Sequence, residues 1–351
     1  VSLNVFPFRD TCHEIARGSI VAFDKVKSIV MNVAMEPQLK FKLIALLTLA
    51  ILLASLENPF LKLIIEQGES LWSIHPNVIS FCNVLFVGNT CAGLVPFLFR
   101  NPRTYISEII SAPLIDNLLL LLASFFVFLY PTFMFFALEN SSVTNVVLIS
   151  QVSAILYAFL GRIFLKISVT KLEIIGYSII GICIFVLVLI NNSFQVAVAD
   201  LLIMLAAFSH AAEDVINKKL LEHFSIFTVI SVTNILSACA FFIIANISYG
   251  MKHFAEVLTG GLWISMLIYG GVTITIAEYL WLKGIEKAPT SLIVNISLGL
   301  PMITVIAAFL LLGEIPSFIE LLALIVISIG LVIANFDVKK VRSLFKTSVQ
   351  M

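Results

Sequence analysis

The sequence predicts an all-α integral membrane protein whose ten transmembrane helices form two inverted five-helix repeats. Three observations lead there: the composition, the spacing of apolar runs, and the one-sided placement of lysine and arginine. Of 351 residues, 60% are hydrophobic and 12% charged, with mean hydropathy +1.09. A soluble domain carries roughly 25% charged residues. Here the charges fall in short clusters between apolar stretches of about 20 residues, the length a helix needs to cross a bilayer.

The elements follow in order. Residues 1–40 lack the long apolar core and small-residue cleavage site of a signal peptide, and are expected as a cytoplasmic tail. Within them "IVAFDKVKSIVMNVAM" is apolar enough to lie in the membrane interface as an amphipathic helix. The first repeat, 41–190, holds apolar runs at 41–65, 77–99, 117–137, 144–164 and 172–190. The second, 198–336, holds runs at 199–218, 226–247, 261–282, 288–312 and 317–336, and 337–351 form a cytoplasmic tail. Runs this long in lipid satisfy their backbone as helices. Pro59, Pro96, Pro131 and Pro301 are expected to kink them, with Gly260-Gly261 and Gly270-Gly271 as hinges.

Charge sets the orientation. Arg9, Arg17, Lys25, Lys27, Lys40 and Lys42 precede the first run. Further clusters are Arg100/Arg103, Arg162/Lys166/Lys171, Lys218/Lys219, Lys283/Lys287 and Lys339/Lys340/Arg342/Lys346. These nineteen of the 21 lie on one side; Lys252 lies opposite, and Lys62 falls inside the first run. The positive-inside rule then places both termini in the cytoplasm.

The repeat is visible as a register. "SLENPFLKLIIEQ" (55–67) overlays "HAAEDVINKKLLEH" (210–223) at a shift of 156, pairing Glu57 with Glu213, Asn58 with Asp214, Lys62 with Lys218 and Glu66 with Glu222. "ALENSSVTNVVLIS" (137–150) overlays "GIEKAPTSLIVNIS" (284–297) at a shift of 147. Five helices per repeat is odd, so the second copy is inserted upside down. That geometry puts a solute site near the bilayer midplane, between the halves.

The run "GIEKAPTSLIVNISLGLPMITVIAAFLLLGEIPSFIELLALIVISIGLVI" resembles the last helices of the drug/metabolite transporter superfamily, in its ten-helix members with two EamA-like repeats. The likeness rests on the Ala-Pro turn, Pro301, and the Gly313-Glu314 step. The first repeat departs from it: Val152-Ser153-Ala154 lacks the proline, and "GRIFLK" replaces the Gly-Glu step. The resemblance spans about 40–336 and implies a secondary transporter working by alternating access, without naming its substrate.

Intramembrane charges mark candidate sites, because each needs a partner or water. Glu57 and Glu213 lie a few residues past their helix midpoints, with Asn58 and Asp214 beside them. His210 stands four residues before Asp214, and Glu278 lies deep in the eighth run beside Tyr279. Each also has a purely structural reading, as a packed or interfacial residue. Asn145, Gln151 and Asn295 lie on the fourth and ninth runs, which resemble cavity-lining helices of the superfamily. Lys62 reads as a rim pair with Glu66 one turn on. The acids suit a cationic group or proton exchange. An amino-containing metabolite is therefore the expected substrate. A nucleotide-sugar or phosphate-ester antiporter is the alternative, and would need basic residues in the cavity.

A membrane-embedded enzyme is the remote alternative: HExxH, GxSxG and P-loop patterns are absent from the sequence. Expected partners are a small-molecule substrate, membrane lipid and protons, with no nucleic acid and no cofactor, in a monomer or homodimer. The five cysteines form no CxxC and read as small buried residues. An initial valine, as an alternative bacterial start codon would leave, points to a bacterial inner membrane.

Overall fold

The computed structural model describes residues 37–75, 78–166, 169–191, 197–250, 257–287, 296 and 299–334. Their regular elements are all helical. The first half contains α1 (Pro37–Ala54), α2 (Glu57–Trp72), α3 (Phe81–Leu94), α4 (Pro102–Ser111), α5 (Leu114–Asn140), α6 (Val143–Ser150), α7 (Val152–Phe164) and α8 (Lys171–Asn191). The second contains α9 (Val198–Leu220), α10 (Ile226–Tyr249), α11 (Gly260–Met266), a π-helical segment (Leu267–Ile276), α12 (Ala277–Lys287), α13 (Gly299–Leu312) and α14 (Phe318–Ala334). Each of the ten apolar runs is helical wherever it is described except for its breaks and its end residues.

Among the described residues seven helices are long and apolar enough to cross a membrane, and α13 and α14 are shorter apolar helices. α9 has 23 residues, but every 18-residue window of it holds at least three charged residues. Its sequence is that of a span carrying functional charge. Large apolar side chains such as Leu98, Ile110, Ile247 and Leu310 cover the exterior, as a lipid-facing surface requires. Inside, hydroxyls bond back to their own helices: Ser124 to the Leu120 carbonyl, Thr233 to Val229, Ser328 to Leu324. Polar groups are thereby satisfied without water.

The helices break at identifiable places. α1 and α2 meet at Ser55–Leu56, because Pro59 lacks the N–H that would reach the Ser55 carbonyl and its ring crowds that oxygen. The first run then continues to Trp72, beyond the expected end at 65, so Lys62 lies ten residues inside the helix end. The fourth run breaks at Gln151, between α6 and α7. Pro131 sits inside a continuous α5.

Gly270-Gly271, expected as a hinge, lies in the π segment. A Cβ at Gly270 would strike the Gly88 carbonyl oxygen of α3. Thr275 Oγ1 seals the same contact by donating to the Ala92 carbonyl at 2.9 Å. In the packing, α9 lies on α5 and α7, α1 on α12, α2 on α13, α3 on α10 and on the π segment, α5 on α10, and α8 on α14.

Candidate functional site

Four helices bring titratable side chains together. Glu57 occupies the first turn of α2, immediately after the break. A helix N-terminus favours negative charge, so the break both exposes and accommodates this carboxylate. On α9, His210, Glu213, Asp214 and Asn217 recur at i, i+3, i+4 and i+7, which places them on one face. His210 Nε2 is 3.8 Å from Asp214 Oδ2, and Asn217 Nδ2 donates to Glu213 Oε1 at 3.1 Å. Glu278 lies in the first turn of α12, directly after the π segment. Tyr130 of α5 lays its ring against His210, with centroids 5.2 Å apart.

These groups act on one another electrostatically. The strongest charge influences on Glu278 are Glu213, Asp214, His210 and Glu57; those on His210 are Asp214, Glu213, Glu57 and Glu278. Tyr130 feels Glu57, Glu213 and Asp214, Tyr157 feels Asp214, and Tyr269 feels Glu57. His210 and Asp214 nevertheless leave 47% and 48% of their side chains accessible. Neither side chain is therefore sealed in the apolar core. Among the described residues, no three His, Cys, Asp or Glu side chains converge closely enough to hold a metal ion. The carboxylates are spread over α2, α9 and α12 instead.

Glu57, His210, Glu213, Asp214 and Glu278 thus come together, and Asn58 lies half-buried beside Glu57 on α2. The other expected residues do not join them. Asn145 donates to Asp200 Oδ1 (3.2 Å) and Ser141 Oγ (3.0 Å), and accepts from Asn191 (3.1 Å). Gln151 donates back to the Val147 carbonyl in its own helix at 3.1 Å. Tyr279 stacks on Phe227 at 4.8 Å, and its hydroxyl accepts from Lys283 at 2.8 Å. Asn295 lies outside the described residues. Lys62, read as a rim residue, is instead buried and ion-paired to Glu314 at 2.8 Å. Sequence reasoning missed Tyr130, Tyr157 and Tyr269. The available signal was that Tyr130 precedes Pro131, which removes a backbone donor, and that Tyr269 precedes Gly270-Gly271.

Comparison with known proteins bears on the family and the fold. The EamA-like transporter family matches residues 197–336. Over 303 residues the chain is 33% identical to the "Uncharacterized transporter sll1164" of Synechocystis sp., covering 83% of this chain and 86% of that one. A solved structure described as "Crystal structure of protein" shares the fold at TM-score 0.52 and 15% identity, over 84% of this chain and 96% of that one. With a relative this similar over most of its length, the chain belongs to the EamA-like transporter family, and it is an integral membrane transporter rather than an enzyme.

Proposed function

We propose that the protein is a secondary carrier for small amino-containing solutes, working by alternating access and coupled to protons or to exchange. The observation that carries this is the cluster of Glu57, Glu213, Asp214 and Glu278, with His210 the titratable base among them and tyrosine faces beside it. Carboxylates and aromatic faces together recognise a cationic amine. A phosphate ester would need a free cation there, and Lys62 is already engaged by Glu314 and Glu66.

Ten membrane helices in two inverted repeats, 41–190 and 198–336, are supported by the pattern of packing. Exchanging each of the ten apolar runs with the run five places on turns α9-on-α5 into α1-on-α12, and α9-on-α7 into α2-on-α13. It likewise turns α5-on-α10 into α3 on the π segment, while α3–α10 and α8–α14 map onto themselves. The electrostatic reach between Glu57 and Glu213 supports the same pairing. The lysine and arginine distribution supports cytoplasmic termini, in a bacterial inner membrane.

The test is uptake into proteoliposomes without ATP, screened over amino acids and amines. An imposed pH gradient should drive accumulation by the wild type. Glu57→Gln and Glu213→Gln should each abolish gradient-driven accumulation while retaining solute exchange, because exchange need not release the proton. Wild-type transport that ignores the gradient, or accumulation by both variants, would sink the proton role.

A further inference from the structure

A buried cation lies outside the acidic cluster. Lys62 is five residues beyond Glu57 on α2, about 7.5 Å along the axis at 1.5 Å per residue. Its side chain is 9% exposed. The ammonium sits 2.8 Å from Glu314 Oε1 and 3.6 Å from Glu66 Oε1, and donates to the Ser141 carbonyl at 2.6 Å. Glu314 turns its other oxygen to the Val143 N–H at 2.9 Å. Beside it, Glu320 accepts from Ser142 Oγ at 3.2 Å and from the Ser317 N–H at 2.7 Å.

Every one of these contacts except those to Glu66 and Ser317 joins different segments of the bundle. Lys62 and the 141–143 turn belong to the first half, and Glu314 and Glu320 to the second. A desolvated ion pair is no more stabilising than apolar side chains of equal volume, yet removing one partner strands a buried charge. Such a pair is weak as glue and sharp as a switch.

We propose that the Lys62–Glu314 pair is a latch that holds the two halves shut at the membrane face where α2 ends. It must open before the acidic cavity can reach that face. Lys62 is then a positioning residue for the transport cycle and not part of the solute site. The inference rests on the alternating-access reading, because it needs a cavity that opens in turn to each side.

The experiment reads the cavity from both faces without any solute. In a background lacking the five native cysteines, His210→Cys places a thiol in the internal space. The protein is reconstituted in one orientation, and an impermeant thiol reagent is applied to one face or the other. From the α2-end face the parent should label slowly. Lys62→Met should raise that rate about tenfold, equivalent to roughly 1.4 kcal/mol of the closed state, while leaving the opposite face no faster. Glu314→Gln, which keeps an acceptor for Val143, should do the same and guards against misfolding of Lys62→Met. The charge reversal, Lys62→Glu with Glu314→Lys, should restore slow labelling. Unchanged rates, or an equal rise at both faces, would overturn the latch. Face-selective labelling together with no solute flux by the wild type would instead refute the proposed function and leave the latch standing.

Discussion

Removing the carboxylate of Glu108 should destabilise the bundle by about 2–4 kcal/mol, from the following geometry. Glu108 Oε1 pairs with Arg100 Nη2 at 2.5 Å, and Oε2 accepts from the Ser225 N–H at 3.0 Å and Thr228 Oγ1 at 2.7 Å. Arg100 also donates to Ser225 Oγ. The amphipathic α4 is thereby tied to the first turn of α10, and one carboxylate caps a helix it does not belong to. A hydrogen bond to a charged group contributes about 1.5–3 kcal/mol net. The three bonds share partners, and the side chains are 19% and 30% exposed, so they do not simply add. Glu108→Ala also strands Arg100. Glu108→Gln keeps an acceptor for Ser225 and Thr228 but loses the ion pair, and should cost about 1–2 kcal/mol.

Burial pushes the Glu108 carboxyl up, but the hydrogen bonds from Ser225, Thr228 and Arg100 outweigh it and hold its pKa below the ordinary 4.5. A depressed pKa means that its contribution is present above the unfolded value and lost as pH falls through the folded one. Denaturant unfolding of detergent-solubilised protein at several pH values measures both effects. The gap between wild type and Glu108→Gln should be full near neutrality and close below about pH 4. Variants within about 0.5 kcal/mol of wild type, or a gap that ignores pH, would refute the reasoning.

Two further outcomes follow from packing and charge placement. A Cβ at Gly176 would strike the Gly330 carbonyl oxygen, whereas one at Gly181 meets only Ile155 Cδ1 at 3.6 Å. Gly176→Leu should therefore separate α8 from α14 and lower the unfolding midpoint sharply, by about 1–3 kcal/mol or more, with Gly181→Ala nearly silent in the same assay. A cysteine at Glu69 should react with impermeant thiol reagents outside intact cells and one at Lys340 should not; external labelling at Lys340 would reverse the proposed orientation.

Sequence periodicity and length revealed the helices because lipid permits a long apolar run little else. The Ser55–Leu56 break was legible through Pro59. The Gln151 break and the π segment were not, since no proline marks either. The π segment coincides with tertiary contacts, the approach of Gly270 to Gly88 and the bond from Thr275 to Ala92. A charge influence of Glu57 on Glu213 fits their repeat register. Lys62 misled because Glu66, one turn away, offered a sufficient local partner. Its stronger partner, Glu314, is far along the chain and reached only through folding. Asn145 and Gln151 bond to a nearby helix and to their own backbone, as an amide in a membrane helix readily does, and sequence alone could not supply those partners.

The two functional proposals meet on one short element. α2 begins at Glu57, inside the acidic cluster, and carries Lys62 at the latch less than two turns later. The interruption at Ser55–Leu56 removes a backbone bond between this segment and α1, which under the proposed cycle would serve as its hinge. A change of charge at Glu57, by solute or proton, alters the force on one end of that piece while the ion pair to Glu314 restrains it further along. Neither site needs a long pathway to sense the other, because a helix of this length is stiff on the scale of the displacement. Coupling of this kind demands that both ends have two arrangements. The acid cluster has them through occupied and empty states, and the Lys62–Glu314 pair through made and broken ones.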